Sequence, residues 1–219
     1  MKIQHLVKWE ASDPIRSLIF LVGFVLFLIS FKSSTYNAPF GASTSMDYVS
    51  QNLWTIYFFM FSSDSYLILV STSILISTIG VRYERDTKFA LSVVTLPLKK
   101  WKILLVKFLM GVAFSYTALF GSYLLVLVYS FSDIPRLFKE SLMMNHTLLY
   151  VAVFFLFVSL YVSSISYLVS IIAPNTFAAF LLGIVFLYLP QFMGLLSLPP
   201  ICLYGHLFIC KILLSDCKL

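Results

Sequence analysis

The chain has 219 residues, of which 60% are hydrophobic and 11% are charged, and its formal net charge is +6. A soluble domain carries about a quarter charged residues, so this composition excludes a protein that folds in water with a polar exterior. The basic residues flank apolar blocks, which favours an orientation signal and argues against nucleic-acid binding. We expect residues 1–219 to form a single transmembrane domain, with no room for a soluble catalytic domain.

The N-terminal residues, Met1–Asp13, mix apolar and charged side chains. Apolar positions 3 and 6 or 7 recur at helical spacing, which predicts a short amphipathic helix lying on the membrane surface. An unstructured linker is the alternative. Ser12 or Asp13 is expected to cap the next helix, and Pro14 suits its first turn.

Six apolar blocks are predicted to cross the membrane, because a hydrocarbon core about 30 Å thick needs about 20 apolar helical residues. The predicted spans are residues 15–31, 62–81, 103–131, 147–173, 177–196 and 201–214. The last block is short and must thin the bilayer or start earlier. The second block begins at Leu53 and has two interpretations. It is either an interfacial aromatic helix over Trp54–Phe61 followed by a span, or one long tilted helix.

Local signals mark the ends of several spans. Ala173-Pro174-Asn175 predicts a tight turn between the fourth and fifth spans. Pro190 predicts a kink or break near the end of the fifth span, and Pro190–Pro200 is either a short turn or a re-entrant hairpin. Lys107 lies one turn inside the third span, and we expect its long side chain to reach back to the lipid headgroups.

The distribution of basic residues predicts the orientation. With the N-terminus inside and six spans, 12 of the 15 basic residues fall on the cytosolic side, and Lys32, Arg136 and Lys139 fall outside. Basic residues accumulate on the cytoplasmic side of membrane proteins. The sequence therefore predicts a multi-pass protein of the cytoplasmic membrane with both termini in the cytosol.

The basic segment between the second and third spans, Arg82–Lys107, carries the strongest local pattern. Its residues 84–96 suit a helix, with charges in the first turn and an apolar stripe at positions 89, 93 and 96. Pro97 is expected to end this helix. The pattern predicts a cytosolic surface helix that offers one face to a partner. A solvated loop that only anchors topology is the alternative.

Glu84-Arg85-Asp86, Leu91, Leu96-Pro97 and the run at 103–107 together resemble the cytosolic signature of type-2 ABC exporter permeases. In that family this segment is the coupling helix, which seats in a groove of a separate ATPase subunit. The resemblance implies an all-α fold of six transmembrane helices with an N-terminal interfacial helix and a coupling helix between spans 2 and 3. The ATPase-coupling residues that it implies are Glu84, Arg85, Asp86, Phe89, Leu91, Leu96 and Pro97.

The same resemblance implies a transport subunit and not an enzyme. The sequence has no glycine-rich loop ending in Gly-Lys-Ser or Gly-Lys-Thr, so ATP and Mg are expected on a partner ATPase and no cofactor in this chain. A second permease chain, identical or different, is expected to complete the transporter. The implied cargo is amphipathic or hydrophobic: a peptide, lipid or drug, with haem export in the same architecture. A binding, sensor or immunity protein without ATPase coupling is the alternative.

Two further polar features lie within the spans. Asp64 interrupts an apolar block, and we expect it at a hydrated position near the outer interface; a proton or substrate site is the alternative. A serine stripe in the fourth block is predicted to pack helices together, with a substrate path as the alternative. Its members are Ser159, Ser163, Ser166 and Ser170. The aromatic residues, 17% of the chain, are expected to face lipid and the interfaces.

Overall fold

A computed structural model describes residues 3–37, 63–83, 86, 100–130 and 147–192. The helices are α1 (Ile3–Ala11), α2 (Pro14–Asn37), α3 (Ser63–Ser77), α4 (Lys100–Ser130), α5 (Thr147–Ile172) and α6 (Thr176–Phe192). A π-helical turn, Thr78–Tyr83, continues α3. The described chain is therefore all-helical, as predicted. Four of these helices, α2 to α5, are long and apolar enough to cross a membrane, as expected of a membrane protein.

In the described part of the fifth predicted span, the apolar helical stretch is shorter than those of the four membrane-length helices. The apolar part of α6 is Thr176–Leu189, and the helix continues through Pro190 to Phe192. A break at Pro190 is therefore absent, because the helix continues past the proline, and a kink there stays a prediction. The predicted sixth span, the interfacial helix at 54–61 and the Pro190–Pro200 hairpin beyond Phe192 lie outside the described residues.

Helix α3 lies at the centre of the bundle, in contact with α2, α4, α5 and α6. Of the apolar stretch that could cross the membrane, 61% is buried inside the protein in α3 with its π-helical turn, compared with 28% in α2, 44% in α4 and 39% in α5. Since neighbouring helices cover α3, its polar side chains need partners inside the protein. Thr72 donates to the backbone oxygen of Ile68 (2.8 Å), and Ser73 hydrogen-bonds Ser115 on α4 (3.0 Å).

A cluster of aromatic side chains fills the core between α2, α4 and α5. Phe31, Tyr123 and Phe155 are fully buried, and the rings of Tyr123 and Phe155 meet edge to face with their centroids 5.2 Å apart. The expectation that aromatic residues face lipid is wrong for these positions. Edge-to-face pairs have favourable electrostatics and bury large apolar area, so they hold this half of the bundle together.

Two polar caps set where α2 and α6 begin. The Asp13 carboxylate accepts a hydrogen bond from the Ile15 amide (3.0 Å), so Asp13, and not Ser12, caps α2. Asn175 accepts a bond from the Ala178 amide (2.7 Å) and caps α6. The predicted α1 helix and the predicted turn at 173–175 are both present. The start of α2 and the α5–α6 turn lie at the same end of the bundle, because both contact the π-helical turn.

Candidate coupling site at the basic end of the bundle

Four elements lie at one end of the bundle: the start of α2, the end of the π-helical turn, the start of α4 and the α5–α6 turn. We call it the basic end. Its buried charged side chains are Glu10 (1% exposed), Arg16 (1%), Arg82 (8%) and Lys107 (4%). Ionised side chains are almost never fully buried unless they are paired. The pairing of these four residues therefore defines the chemistry of this end.

The first set, which we call the Glu10 cluster, consists of Glu10, Asp13, Arg16 and Lys107. The Lys107 Nζ atom lies 2.7 Å from Oε1 of Glu10, and the Arg16 guanidinium contacts the other Glu10 oxygen. Arg16 Nε also lies 3.4 Å from the Asp13 carboxylate. The indole of Trp9 stands 5.6 Å from Lys107 Nζ, at cation–π distance. One buried carboxylate thus joins α1 to both α2 and α4.

Gly80 makes room for Arg16 beside the π-helical turn. A Cβ atom at this position would lie only 2.7 Å from Nη2 of Arg16. The missing side chain therefore lets the guanidinium lie directly against α3. Single π-helical turns occur frequently at functional sites, so this part of the helix is a candidate functional region.

The second set, which we call the Arg82 cluster, consists of Arg82, Asp86, Pro174 and Thr176. One Asp86 oxygen accepts hydrogen bonds from the Thr176 amide (3.0 Å) and hydroxyl (2.7 Å). The other lies 3.1 Å from Arg82 Nε, and the Arg82 guanidinium donates to the carbonyl of Pro174. The chain leaving α3 is therefore fastened to the α5–α6 turn. An acidic group at the N-terminus of α6 also complements the helix dipole.

Replacing Asp86 with alanine is expected to loosen the first turn of α6, because the Thr176 amide loses its acceptor. Loss of such a cap costs about 0.5–2 kcal/mol, so amide exchange at Thr176, measured by NMR, should accelerate about 2- to 30-fold. The Ala178 amide should change little, since Asn175 still binds it. Asp64→Ala, at an exposed position in α3, is the matched control. Equal exchange in both variants would remove Asp86 as the cap.

The structure corrects the prediction for Lys107. Its side chain does not reach the headgroups but points into the protein and pairs with Glu10. Its backbone oxygen accepts a hydrogen bond from the Tyr167 hydroxyl of α5 (2.6 Å). The physical reason is the buried carboxylate of α1, which offers the ammonium group a closer partner than the lipid surface. Lys107 therefore lies where α1, α4 and α5 meet.

The structure describes one of the seven residues assigned to ATPase coupling, Asp86, and its carboxylate is engaged within the chain. The other assigned residues, like the body of the predicted coupling helix, lie outside the described part. They are Glu84, Arg85, Phe89, Leu91, Leu96 and Pro97. The described part of the segment is thus its attachment to the bundle.

The two polar features predicted within the spans lie in different environments. Asp64 is exposed, in the first turn of α3. All four stripe serines are buried, and Ser170 donates to the hydroxyl of Ser77 on α3 (3.1 Å). Ser166 instead donates to a backbone oxygen of its own helix, that of Val162 (2.8 Å). The stripe, composed of Ser159, Ser163, Ser166 and Ser170, therefore lies inside the helix bundle.

Sequence reasoning missed Glu10, Arg16 and Gly80 as parts of a common site. The available signal was the acid–base content around the α1–α2 junction, where Glu10, Asp13 and Arg16 lie within seven residues. Nothing in their spacing indicates Lys107 as the partner, because that contact joins helices distant in sequence. Within the described ranges, no group of three His, Cys, Asp or Glu side chains could hold a metal ion.

Comparison of the chain with protein-family models, curated proteins and solved structures gives no match. The functional interpretation therefore depends on the geometry of the basic end and on the sequence pattern of the segment that follows α3.

Proposed function

We propose that this chain is the transmembrane permease subunit of an ATP-binding cassette exporter, driven by a separate ATPase subunit. The observation that carries the proposal is the Arg82 cluster. It fastens the chain at the start of the predicted coupling helix to the α5–α6 turn. A surface helix can move membrane spans only if its ends are attached to them, and this cluster supplies one such attachment.

The other end of the segment leads into α4, whose first turns carry the Lys107 contact with Glu10. In the proposed mechanism, closure of two ATPase subunits pushes the coupling helix of each permease chain. The push reaches α6 through Asp86 and Thr176, and reaches α1 and α2 through Lys107 and Glu10. The resulting tilt opens a path between two permease chains for an amphipathic or hydrophobic cargo, by alternating access.

The full proposal has six spans, an N-terminal interfacial helix and both termini in the cytosol. Two observations support the cytosolic placement of the basic end. Basic residues accumulate on the cytoplasmic side of membrane proteins, and the ends of α2, α3 and α4 that carry basic residues lie together, beside the C-terminal end of α5.

The proposal predicts that exchanging the charges of the coupling segment uncouples the ATPase. Tagged protein purified from its native membrane should bring an ATP-hydrolysing subunit, identified by mass spectrometry. The double variant Glu84→Lys, Arg85→Glu should lower the recovered amount of that subunit at least about tenfold, since breaking interfacial charge pairs costs about 2–5 kcal/mol.

A matched control exchanges two neighbouring charges on the predicted outer side, Lys139→Glu with Glu140→Lys. This variant should retain the ATPase at the wild-type level. If the wild-type protein brings no ATPase, or if both exchanges leave its recovery unchanged, the exporter assignment fails. The alternative, a membrane sensor or immunity protein, would then be favoured.

A further inference from the structure

The charges at the basic end divide into a neutral ion-paired network and an exposed excess. The Glu10 and Arg82 clusters together contain three acidic and three basic side chains, so their formal charges cancel. These are Glu10, Asp13 and Asp86 with Arg16, Arg82 and Lys107. The remaining positive charge of the described residues at this end is available to an external partner.

That excess belongs to Lys8 of α1 and to Lys100 and Lys102 of α4. Lys8 and Lys100 are exposed and Lys102 is partly exposed. Within the described part of the chain, none of the three forms an ion pair. Each has a tryptophan beside it in sequence, Trp9 at 43% exposure and Trp101 at 59%. The Lys102 ammonium lies 5.6 Å from the Trp101 ring centroid.

These residues lie on two helices that pack against each other, α1 and α4. Lys107 lies beneath the Trp9 ring. Lys100 is seven residues before Lys107, a rise of about 10 Å along α4. The side chains of Leu104 and Leu105, the next turn of α4, are also exposed, at 40% and 46%. A basic and aromatic layer therefore passes directly into an exposed apolar layer.

We propose that the exposed side of α1 and the first two turns of α4 form a binding surface for anionic phospholipid headgroups of the cytoplasmic leaflet. An occupant with an anionic head and an apolar tail matches both layers, whereas an acidic protein would leave the leucines uncovered. Tryptophan and lysine side chains both favour the headgroup region. Lysine near an anionic leaflet contributes about 1 kcal/mol, which is about a fivefold gain in association per residue.

This surface is independent of ATPase coupling, since it uses none of residues 84–97. Through the Glu10 cluster, headgroup binding on α1 is rigidly connected to α2 and α4. The proposal therefore gives α1 a role beyond lying on the bilayer: together with the start of α4, it recognises the charge of the surrounding lipid.

Tryptophan fluorescence tests this assignment. The sequence has three tryptophans, and Trp54→Phe leaves only Trp9 and Trp101 as reporters. In phosphatidylcholine nanodiscs, brominated phosphatidylglycerol should quench more strongly than brominated phosphatidylcholine at equal mole fraction. In the same background, Lys8→Gln, Lys100→Gln and Lys102→Gln together should raise the phosphatidylglycerol fraction for half-maximal quenching at least about tenfold.

The matched control neutralises three basic residues on the predicted outer side: Lys32→Gln, Arg136→Gln and Lys139→Gln. It should keep the wild-type preference, and quenching by brominated phosphatidylcholine should be equal in all variants if each is folded. Equal quenching by both lipids in the protein that carries only Trp54→Phe would overturn the proposal. So would an equal loss in the control, or displacement of the lipid by soluble glycerophosphorylglycerol.

Discussion

Glu10→Gln is expected to lower the free energy of unfolding by about 3–5 kcal/mol, because it leaves two buried cations without their shared carboxylate. Glu10, Arg16 and Lys107 are each at least 96% buried, so water cannot replace the lost partner. Glutamine keeps the volume of the side chain, which isolates the effect of charge. The measurement is reversible unfolding of the purified protein in mixed micelles by a denaturing detergent, followed by circular dichroism.

The control for this variant is Asp13→Asn, since the Asp13 side chain is 29% exposed and its contact with Arg16 is longer, at 3.4 Å. We expect its cost to stay below about 1 kcal/mol, as for other partly exposed ion pairs. Adding Lys107→Met to Glu10→Gln should recover part of the loss, because it removes a buried cation whose carboxylate is gone, whereas Arg16 keeps its contact with Asp13. Losses of the same small size for Glu10 and Asp13 would show that the cluster contributes little to stability.

Gly111→Ala is expected to destabilise the protein by about 1–3 kcal/mol, the usual range for overpacking a filled core. An added Cβ would lie 2.7 Å from the hydroxyl oxygen of Tyr167 and 2.9 Å from its Cε2 atom. The ring cannot easily move away, because its hydroxyl donates to the Lys107 backbone oxygen and its edge packs against Phe108. The measurement is the same unfolding assay.

Gly121→Ala offers a direct comparison on the same helix. There the added Cβ would lie 3.3 Å from a single ring atom of Phe24, which leaves room for a small adjustment. Alanine favours a helix interior over glycine by about 1 kcal/mol, so this variant should be neutral or slightly stabilising. If both variants have equal stability, the close approach of Tyr167 to α4 is not a constraint.

Local signals in the sequence were sufficient for much of the helical framework. The end of α5 and the start of α6 follow from Pro174 and Asn175, and the start of α2 follows from Asp13 and Pro14. These residues act on the backbone next to them. The length of the apolar blocks predicted α2 to α5, because a helix must be about 20 apolar residues long to cross the hydrocarbon core. Such signals act within one or two turns and need no knowledge of neighbouring helices.

The contacts between helices could not be predicted in this way. The burial of Lys107 depends on Glu10, which is 97 residues away, and the reach of Asp86 to Thr176 spans 90 residues. Seen alone, Lys107 has the pattern of a residue that reaches the headgroups. The π-helical turn at Thr78–Tyr83 was also missed, because its residues fit an ordinary helix and its geometry depends on packing against neighbouring helices.

The two ends of the bundle differ in how easily their contacts can rearrange. At one end, Arg16 of α2 and Lys107 of α4 share the buried carboxylate of Glu10, and pulling either cation away from it costs about 3–5 kcal/mol. At the other end, each ring pair among Phe31, Tyr123 and Phe155 contributes about 0.5–1.5 kcal/mol beyond its buried area, so a change in helix separation costs less there. We therefore expect the Glu10 side to act as a pivot. Spin-label distances between α2 and α4 should vary most at the aromatic end.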